Sequence, residues 1–380
     1  MRLVVYTDYL YRDRDGTVFA ERAFVRFLGA LARQLGGLRL LGRLDTGPGP
    51  AHYELDGAIE FQALPHYARL TQIGPVLRSV PGTLARMWRA LDDADVVFSL
   101  GPYPHAIALA LIALLRRRRL VLGVRQDFPA YIRHRHPQNR LLHLAAWALE
   151  CCWRLLALRN PVVAVGPDLA ARYRRAPAVL TAAVSLISAQ DVEAGRRASV
   201  RSYNDDVLTL LTVGRLDAEK NPLLLAEVIA LLRERDPRWR LVVCGEGDMA
   251  GLLRERLSEL GLTDACDLRG YVPLDGGLLD AYRGSHAFLH VSRTEGLPQV
   301  LIEAYASGLP SVATAVGGVR ALGDASLLVP PDDAGAAATA VRRLSDDAAL
   351  RERLVAAGLH RATGLTEEGQ AAAVARFLAA

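Results

Sequence analysis

Short β-branched apolar runs alternate with longer runs that repeat their apolar positions every three to four residues. That alternation predicts an α/β chain with parallel sheets. In the first half the strand candidates are Leu3–Tyr6, Val96–Ser99, Leu120–Val124 and Val162–Val165, with weaker ones near Leu38–Gly42 and Ala58–Ala63. Helical periodicity covers Phe19–Gln34, Gly82–Leu91, His105–Leu115 and Arg140–Leu158.

Periodicity is lost from Ser185 to Asp206, a stretch of Ser, Ala, Gly, Arg, Asn and Asp that reads as an interdomain connection. A second α/β series follows. Its strands are expected at Leu208–Val213, Arg240–Cys244, Cys266–Leu268, Ala287–Val291 and Ser311–Thr314. Its helices are expected at Pro222–Asp236, Ala250–Leu260, Leu278–Gly284 and Pro298–Ser307. The expected organisation is a Rossmann-like domain over 1–185, a linker over 186–206 and a second Rossmann-like domain over 207–365. Such domains bind ligands at the C-terminal ends of their strands.

Composition sharpens this picture. The 380 residues exceed the size at which one core keeps growing, and 51% apolar with 23% charged content excludes wholesale disorder. Residues 1–185 hold 25 arginines against 14 acidic side chains, a balance of +11, whereas residues 186–380 balance at −6. The basic half suits an acidic or lipid-linked partner. Four cysteines without a CxxC spacing exclude a disulfide framework and argue against a zinc site. The longest apolar stretch, Ala106–Leu115, is too short to span a bilayer. Met1–Tyr6 reads as a strand rather than a secretory signal, so a cytoplasmic protein is expected, with peripheral contact at the inner membrane face compatible with its basic half.

Two segments carry chemistry. In residues 292–310 a strand runs through Glu295, Gly296 and Leu297 into a helix that Pro298 can start and Gly308 ends. The N-terminus of that helix offers unpaired N–H groups to an anion. Glu303 sits mid-helix among Val300, Leu301, Ile302, Ala304 and Tyr305, where a carboxylate needs a hydrogen-bonding partner unless it faces water. The other segment is Gly214-Arg215 followed by Lys220-Asn221-Pro222, placed after a strand and before a helix. Lys220 is the only lysine among 46 basic side chains. Taken alone, two cations in a polar loop read as a solvated turn.

Glu295 and Glu303, with seven residues between them in the wording E-G-L-P-Q-V-L-I-E-A-Y-A-S-G-L-P, resemble the E-x7-E motif of retaining GT-B glycosyltransferases of family four. The Arg215/Lys220 segment resembles the family's G-R-x-x-x-x-K-N element. The resemblance is close over about 205–335 and topological over 1–185. It implies a GT-B fold, two Rossmann-like domains facing a cleft, with a helix at about 366–380 crossing back to the first. It implies that Arg215 and Lys220 grip the donor diphosphate, that Glu295 with Gly296 and Leu297 positions the donor sugar, and that Glu303 holds the ribose. It extends donor contacts to Gly214, to Glu246 in the Gly245-Glu246-Gly247 turn, and to Tyr271 and Val272 at a strand end. In the first half, Gly16 stands where the family has a Gly-rich phosphate loop. Asp127, in Arg125-Gln126-Asp127-Phe128-Pro129, stands where many members carry an acceptor-side histidine. Gly317-Gly318 matches a family glycine pair, but Ala321 replaces a common Glu.

The resulting expectation is retaining transfer of a hexose-type sugar from a nucleotide-diphosphate sugar to an acceptor hydroxyl, with no metal, no cofactor and no nucleic acid. Asp13-Arg14-Asp15 and Asp93-Ala94-Asp95 lie where strand-following metal ligands would not. A GT-B-shaped epimerase would need additional acid and base groups, for which His134 and His136 are candidates. A nucleotide-cofactor oxidoreductase would need its glycine turn in the first βαβ unit, not after the second strand. A non-catalytic GT-B partner subunit would not need the intact charged set. Leu84, Met87, Trp88 and Leu91 form one face of a helix that suits either the core or a membrane interface.

Overall fold

A computed structural model describes residues 1–45, 47–67 and 73–380, without the side chains of Ile73, Pro75, His134 and Asp275. The chain divides into two units, Met1–Leu186 with Glu367–Ala380, and Ile187–Thr366.

The first unit runs β1 (Leu3–Arg14), β2 (Thr17–Ala20), α1 (Phe24–Leu35), β3 (Leu38–Asp45), β4 (Tyr53–Glu54), β5 (Ile59–Leu64) and α2 (Ile73–Ala90). It continues through β6 (Val96–Gly101), α3 (Pro104–Leu115), β7 (Arg119–Val124), α4 (Phe128–Arg135), α5 (Arg140–Ala157), β8 (Val162–Val165), α6 (Pro167–Arg172) and β9 (Val179–Ala182). The parallel strand order is β5-β3-β1-β6-β7-β8-β9. Val4 and Tyr6 of β1 share a core with Met87 of α2, Leu109 of α3 and Trp153 of α5. Leu3 and Val5, which strand alternation turns to the opposite face, are equally buried, so the sheet is covered on both sides.

The opening of the chain departs from the expected strand-loop-helix. After an irregularity between Tyr6 and Leu10, β1 continues to Arg14 and pairs antiparallel with β2. Asp15 and Gly16 take φ of 54° and 83°. An Asp-Gly pair with two positive φ angles is the preferred tip of a two-residue hairpin. Phe19 therefore lies in β2, and the helix starts at Phe24.

The second unit runs α7 (Ala189–Ala198), β10 (Leu208–Val213), α8 (Leu223–Arg233), β11 (Trp239–Cys244), α9 (Ala250–Glu259), β12 (Cys266–Gly270), α10 (Leu278–Arg283) and β13 (Ala287–His290). It ends with α11 (Gln299–Ala306), β14 (Ser311–Thr314), β15 (Ser326–Val329), α12 (Ala334–Asp346) and α13 (Ala348–Thr363). All six strands are parallel, in the order β12-β11-β10-β13-β14-β15. Numbered within the unit this is 3-2-1-4-5-6, the Rossmann order. α14 (Glu367–Ala379) then returns to the first unit. There it packs on α1, and its Leu378 carbonyl accepts a hydrogen bond from the Arg119 guanidinium at 2.8 Å.

The expected linker over 186–206 is instead built structure. Ser188 and Asp191 form a reciprocal capping box at the start of α7. Arg201 donates to the carbonyls of Ser285 at 2.6 Å and Ser307 at 3.0 Å. Gly195 lies so close to α11 that a Cβ there would sit 1.8 Å from the Ala306 carbonyl oxygen. We predict that Gly195→Ala, forcing these helices apart, costs about 2 kcal/mol of stability. Urea unfolding measures it, and an unchanged midpoint would refute the packing role.

Candidate functional site

In the Rossmann order the strand sequence reverses between the first and fourth strands, and the loops leaving them form the crevice where ligands bind. Here those strands are β10 and β13. The loop after β10 carries Gly214, Arg215 and Lys220, and the loop after β13 carries Glu295, Gly296 and Leu297. The structure thus brings together residues that lie 75 or more positions apart in the chain. Lys220 Nζ donates to Glu295 Oε1 across this point. His290, the last residue of β13, places Nε2 3.0 Å from the same oxygen.

Burial would raise the Glu295 carboxyl, which is only 9% exposed. The Lys220 ammonium and His290 outweigh that desolvation and hold it well below the usual carboxylate range. Arg215 is likewise paired inside the chain, with Asp217 and with the buried Glu219 Oε1 at 2.6 Å. A further clamp joins the two loops. Arg293 donates its backbone N–H to the Glu219 carbonyl at 2.9 Å, its Nε to Asp332 Oδ1 at 2.8 Å and a terminal guanidinium nitrogen to the Ala218 carbonyl at 3.3 Å. Asn221, at φ 54°, donates its side-chain amide to the same Asp332 oxygen at 2.9 Å. From below, Gly317 and Gly318 support the Glu295 loop. Cβ atoms there would lie 2.1 Å from the Glu295 oxygen and 1.6 Å from the Gly296 oxygen.

Glu303 is not on an outer face. α11 is buried on all sides among α7, α10, α13 and β14, and Glu303 is 6% exposed. Its Oε2 accepts a hydrogen bond from Tyr282 Oη at 2.9 Å. Burial pushes its pKa up to about 7, with the tyrosine opposing.

The Gly245-Glu246-Gly247 turn has a packing reason. A Cβ on Gly245 would meet the Gly214 oxygen at 1.8 Å, and one on Gly247 the Leu216 oxygen at 2.5 Å. Bare backbone lets the loop after β11 lie against the loop after β10, with Leu216 N–H bonded to the Glu246 carbonyl at 2.8 Å. Exposed Glu246 turns its carboxylate onto the Tyr271 N–H at 3.2 Å, so Glu246, Tyr271 and the adjoining Val272 are neighbours at one rim.

The first-unit candidates fare differently. Gly16 is an exposed hairpin tip between β1 and β2 rather than part of a strand-to-helix loop. Asp127 is the N-cap of α4, accepting from Ala130 N–H at 3.2 Å, and its other oxygen accepts from Arg172 at 2.8 Å. Both oxygens are therefore engaged in holding α4 and α6. Arg125, at the end of β7, stacks on Phe24 with 3.7 Å from its guanidinium carbon to the ring centre and donates to the Tyr9 hydroxyl. Burial lowers its pKa to about 10. The side chain of His134 lies outside the described residues. Among the described residues no group of three or more His, Cys, Asp and Glu is arranged to hold a metal ion.

His290, Arg293, Asp332 and Tyr282 were not legible as site residues. The first two flank the charged motif as a strand-end His and a loop Arg. Asp332 and Tyr282 reach it only through the fold.

Residues 197–361 match the family model described as Glycosyl transferases group 1. The match lies within the second unit, Ile187–Thr366. A D-inositol 3-phosphate glycosyltransferase of Thermobifida fusca is 31% identical over 233 residues, covering 56% of this chain and 54% of that protein. The chain thus spans about half the length of this curated relative. Among solved structures, Anabaena HepE in complex with UDP superposes with a TM-score of 0.71 at 14% identity over 100% of both chains. Sucrose-phosphate synthase from Thermosynechococcus elongatus gives 0.73 at 18% identity, covering 99% of this chain and 98% of that one. The fold is GT-B.

The raised Glu303 pKa has a signed consequence. Between its ordinary 4.5 and about 7 the carboxyl is protonated when folded and ionised when unfolded, so its contribution makes stability fall as pH rises through that window. Glu303→Gln removes the effect. The variant should gain on the parent by on the order of 3 kcal/mol between about pH 4.5 and pH 8. Urea midpoints at both pH values measure this, and a pH-independent difference would overturn the assignment.

Proposed function

We propose that this chain is a retaining glycosyltransferase that moves a hexose-type sugar from a nucleotide-diphosphate sugar to an acceptor hydroxyl. The observation that carries the reading is the meeting of Lys220, Arg215 and Glu295 with the N-terminus of α11 at the β10–β13 crossing. A diphosphate seated there exchanges carboxylate partners for phosphate oxygens on Arg215 and Lys220, and the first-turn N–H groups of α11 add a positive dipole end. Glu295, kept ionised by its partners, accepts from hydroxyls of the donor sugar. Glu303 is assigned to the ribose hydroxyls, beside Tyr282.

In the reaction the bond between the anomeric carbon and the β-phosphate oxygen breaks as the acceptor oxygen bonds to the same face of that carbon. The departing phosphate oxygen takes the acceptor proton. Arg215 and Lys220 stabilise the nucleoside diphosphate as its charge develops, which makes a metal unnecessary. The loop glycines Gly317 and Gly318 keep Glu295 in register. Asp127 is left outside the chemistry because its carboxylate caps α4 and pairs with Arg172.

UDP-sugars lead the donor test because HepE was solved with UDP. The names of the Thermobifida relative and the Thermosynechococcus structure both contain a phosphorylated compound. With the +11 balance of residues 1–185 they favour an acidic or lipid-linked acceptor.

A thermal-shift and transfer screen with UDP-, GDP-, ADP- and dTDP-sugars tests the donor, since a bound nucleotide raises the melting temperature by mass action. Transfer should persist in excess EDTA. Lys220→Met and Glu295→Gln should each lower kcat by about a hundredfold or more. Each breaks a buried pair, so the double variant serves as the stability control. Full activity in both single variants, or loss of all activity in EDTA, would sink the proposal.

A further inference from the structure

Seventeen large apolar side chains are exposed among the described residues, and eleven of them lie on or cap three helices of the first unit, α2, α3 and α5. These helices cover the same sheet face, with α3 adjoining both others. On α5 the outward stripe is Leu141, Leu144, Trp147, Leu155 and the capping Leu158, with Leu141 80% and Trp147 60% exposed. α2 contributes Leu77, Leu84 and Trp88, and α3 ends in Leu111, Leu114 and Leu115. Arg116 ties the last two helices together, its guanidinium 4.9 Å from the Trp88 ring centre and donating to the Trp88 carbonyl at 2.8 Å. Met87 and Leu91 turn inward, so the face of the helix at 83–91 is divided between core and surface.

Charge is equally lopsided. Residues 73–90, 104–119 and 128–159 hold twelve arginines and a single acid, Glu150. One Glu150 oxygen is already taken by the Tyr173 hydroxyl at 2.8 Å. Of the acids just outside these segments, Asp92 accepts from Arg116 at 2.7 Å and Asp127 from Arg172 at 2.8 Å. Exposed apolar side chains including two tryptophans, on neighbouring helices rich in arginine, fit the interface of an anionic bilayer, where rings and aliphatic side chains enter the headgroup boundary and arginines meet phosphates. A second copy fits worse, because a twofold contact sets arginine against arginine without acids to answer them. No helix among the described residues is long and apolar enough to cross a membrane, so the contact would be peripheral.

We propose that the outer face of α2, α3 and α5 is a docking surface for an anionic lipid bilayer. This stands independently of which sugar, if any, the chain transfers. The full chain should sediment with phosphatidylglycerol-containing vesicles and not with phosphatidylcholine vesicles, and salt should weaken the binding. Trp147→Glu and Leu155→Glu, at solvent-facing positions, should each lower vesicle affinity by about tenfold or more. An independent reading needs no charge insertion. Tryptophan fluorescence should shift to the blue on anionic vesicles, and Trp88→Phe with Trp147→Phe should remove the shift while leaving buried Trp153 and Trp239 unchanged. Absence of vesicle binding at low salt overturns the proposal. So does a concentration-dependent dimer that Trp147→Glu dissolves, which would assign the face to a second copy. Binding that neither set of variants alters would place the membrane contact elsewhere and equally overturn it.

Discussion

A carboxylate as buried as Glu295 is tolerable only beside a cation, and the cation is Lys220. That one pair joins the loops that leave β10 and β13, so the arrangement of the whole charged region depends on it. Removing either partner strands the other at low dielectric. The remaining contacts hold the pair in place. Arg293 and Asn221 meet on Asp332, and Arg215 is braced by Asp217 and Glu219. A dianionic ligand entering this region would find two cations whose present partners are themselves acceptors, so binding is an exchange of partners rather than the capture of free charges. A strong acceptor competes with a carboxylate for such cations better than a weak one does.

Glycine does in this unit what side chains do elsewhere. Gly245 and Gly247 admit the loop after β11 against Gly214 and Leu216, while Gly317 and Gly318 admit the next loop against Glu295 and Gly296. Each contact is backbone on backbone at distances that no Cβ allows. Four strand-end loops are thereby stacked into a narrow shelf, and small displacements of one reach the others directly.

Most strands of the second unit and its charged motif were legible because parallel buried strands read as continuous apolar runs and because Arg215, Lys220, Glu295 and Glu303 fall at fixed offsets within two short segments. What escaped was set by contacts distant in sequence. Asp332 and Tyr282 join the motif through folding alone. The stretch at 186–206 looked like a linker because its helix is short and polar, although Ser188 and Asp191 carried the capping signature. Asp15-Gly16 is a two-residue hairpin signal, and the chain turns there from β1 into β2 before α1 begins. Glu303 illustrates a different limit, since a glutamate is usually exposed, and only the helices packed around α11 establish that this one is not.

The return of α14 to the first unit affects how the protein is made. During synthesis β1 through β9 emerge first, yet α1 lacks its packing partner until residues 367–379 follow. Ala371, Val374 and Leu378 of α14 are buried in the finished fold. The α1 flank of the first unit is therefore completed only by residues synthesised after those of the second unit. The order in which the chain visits its two units thus places the second unit's residues between the two parts of the first.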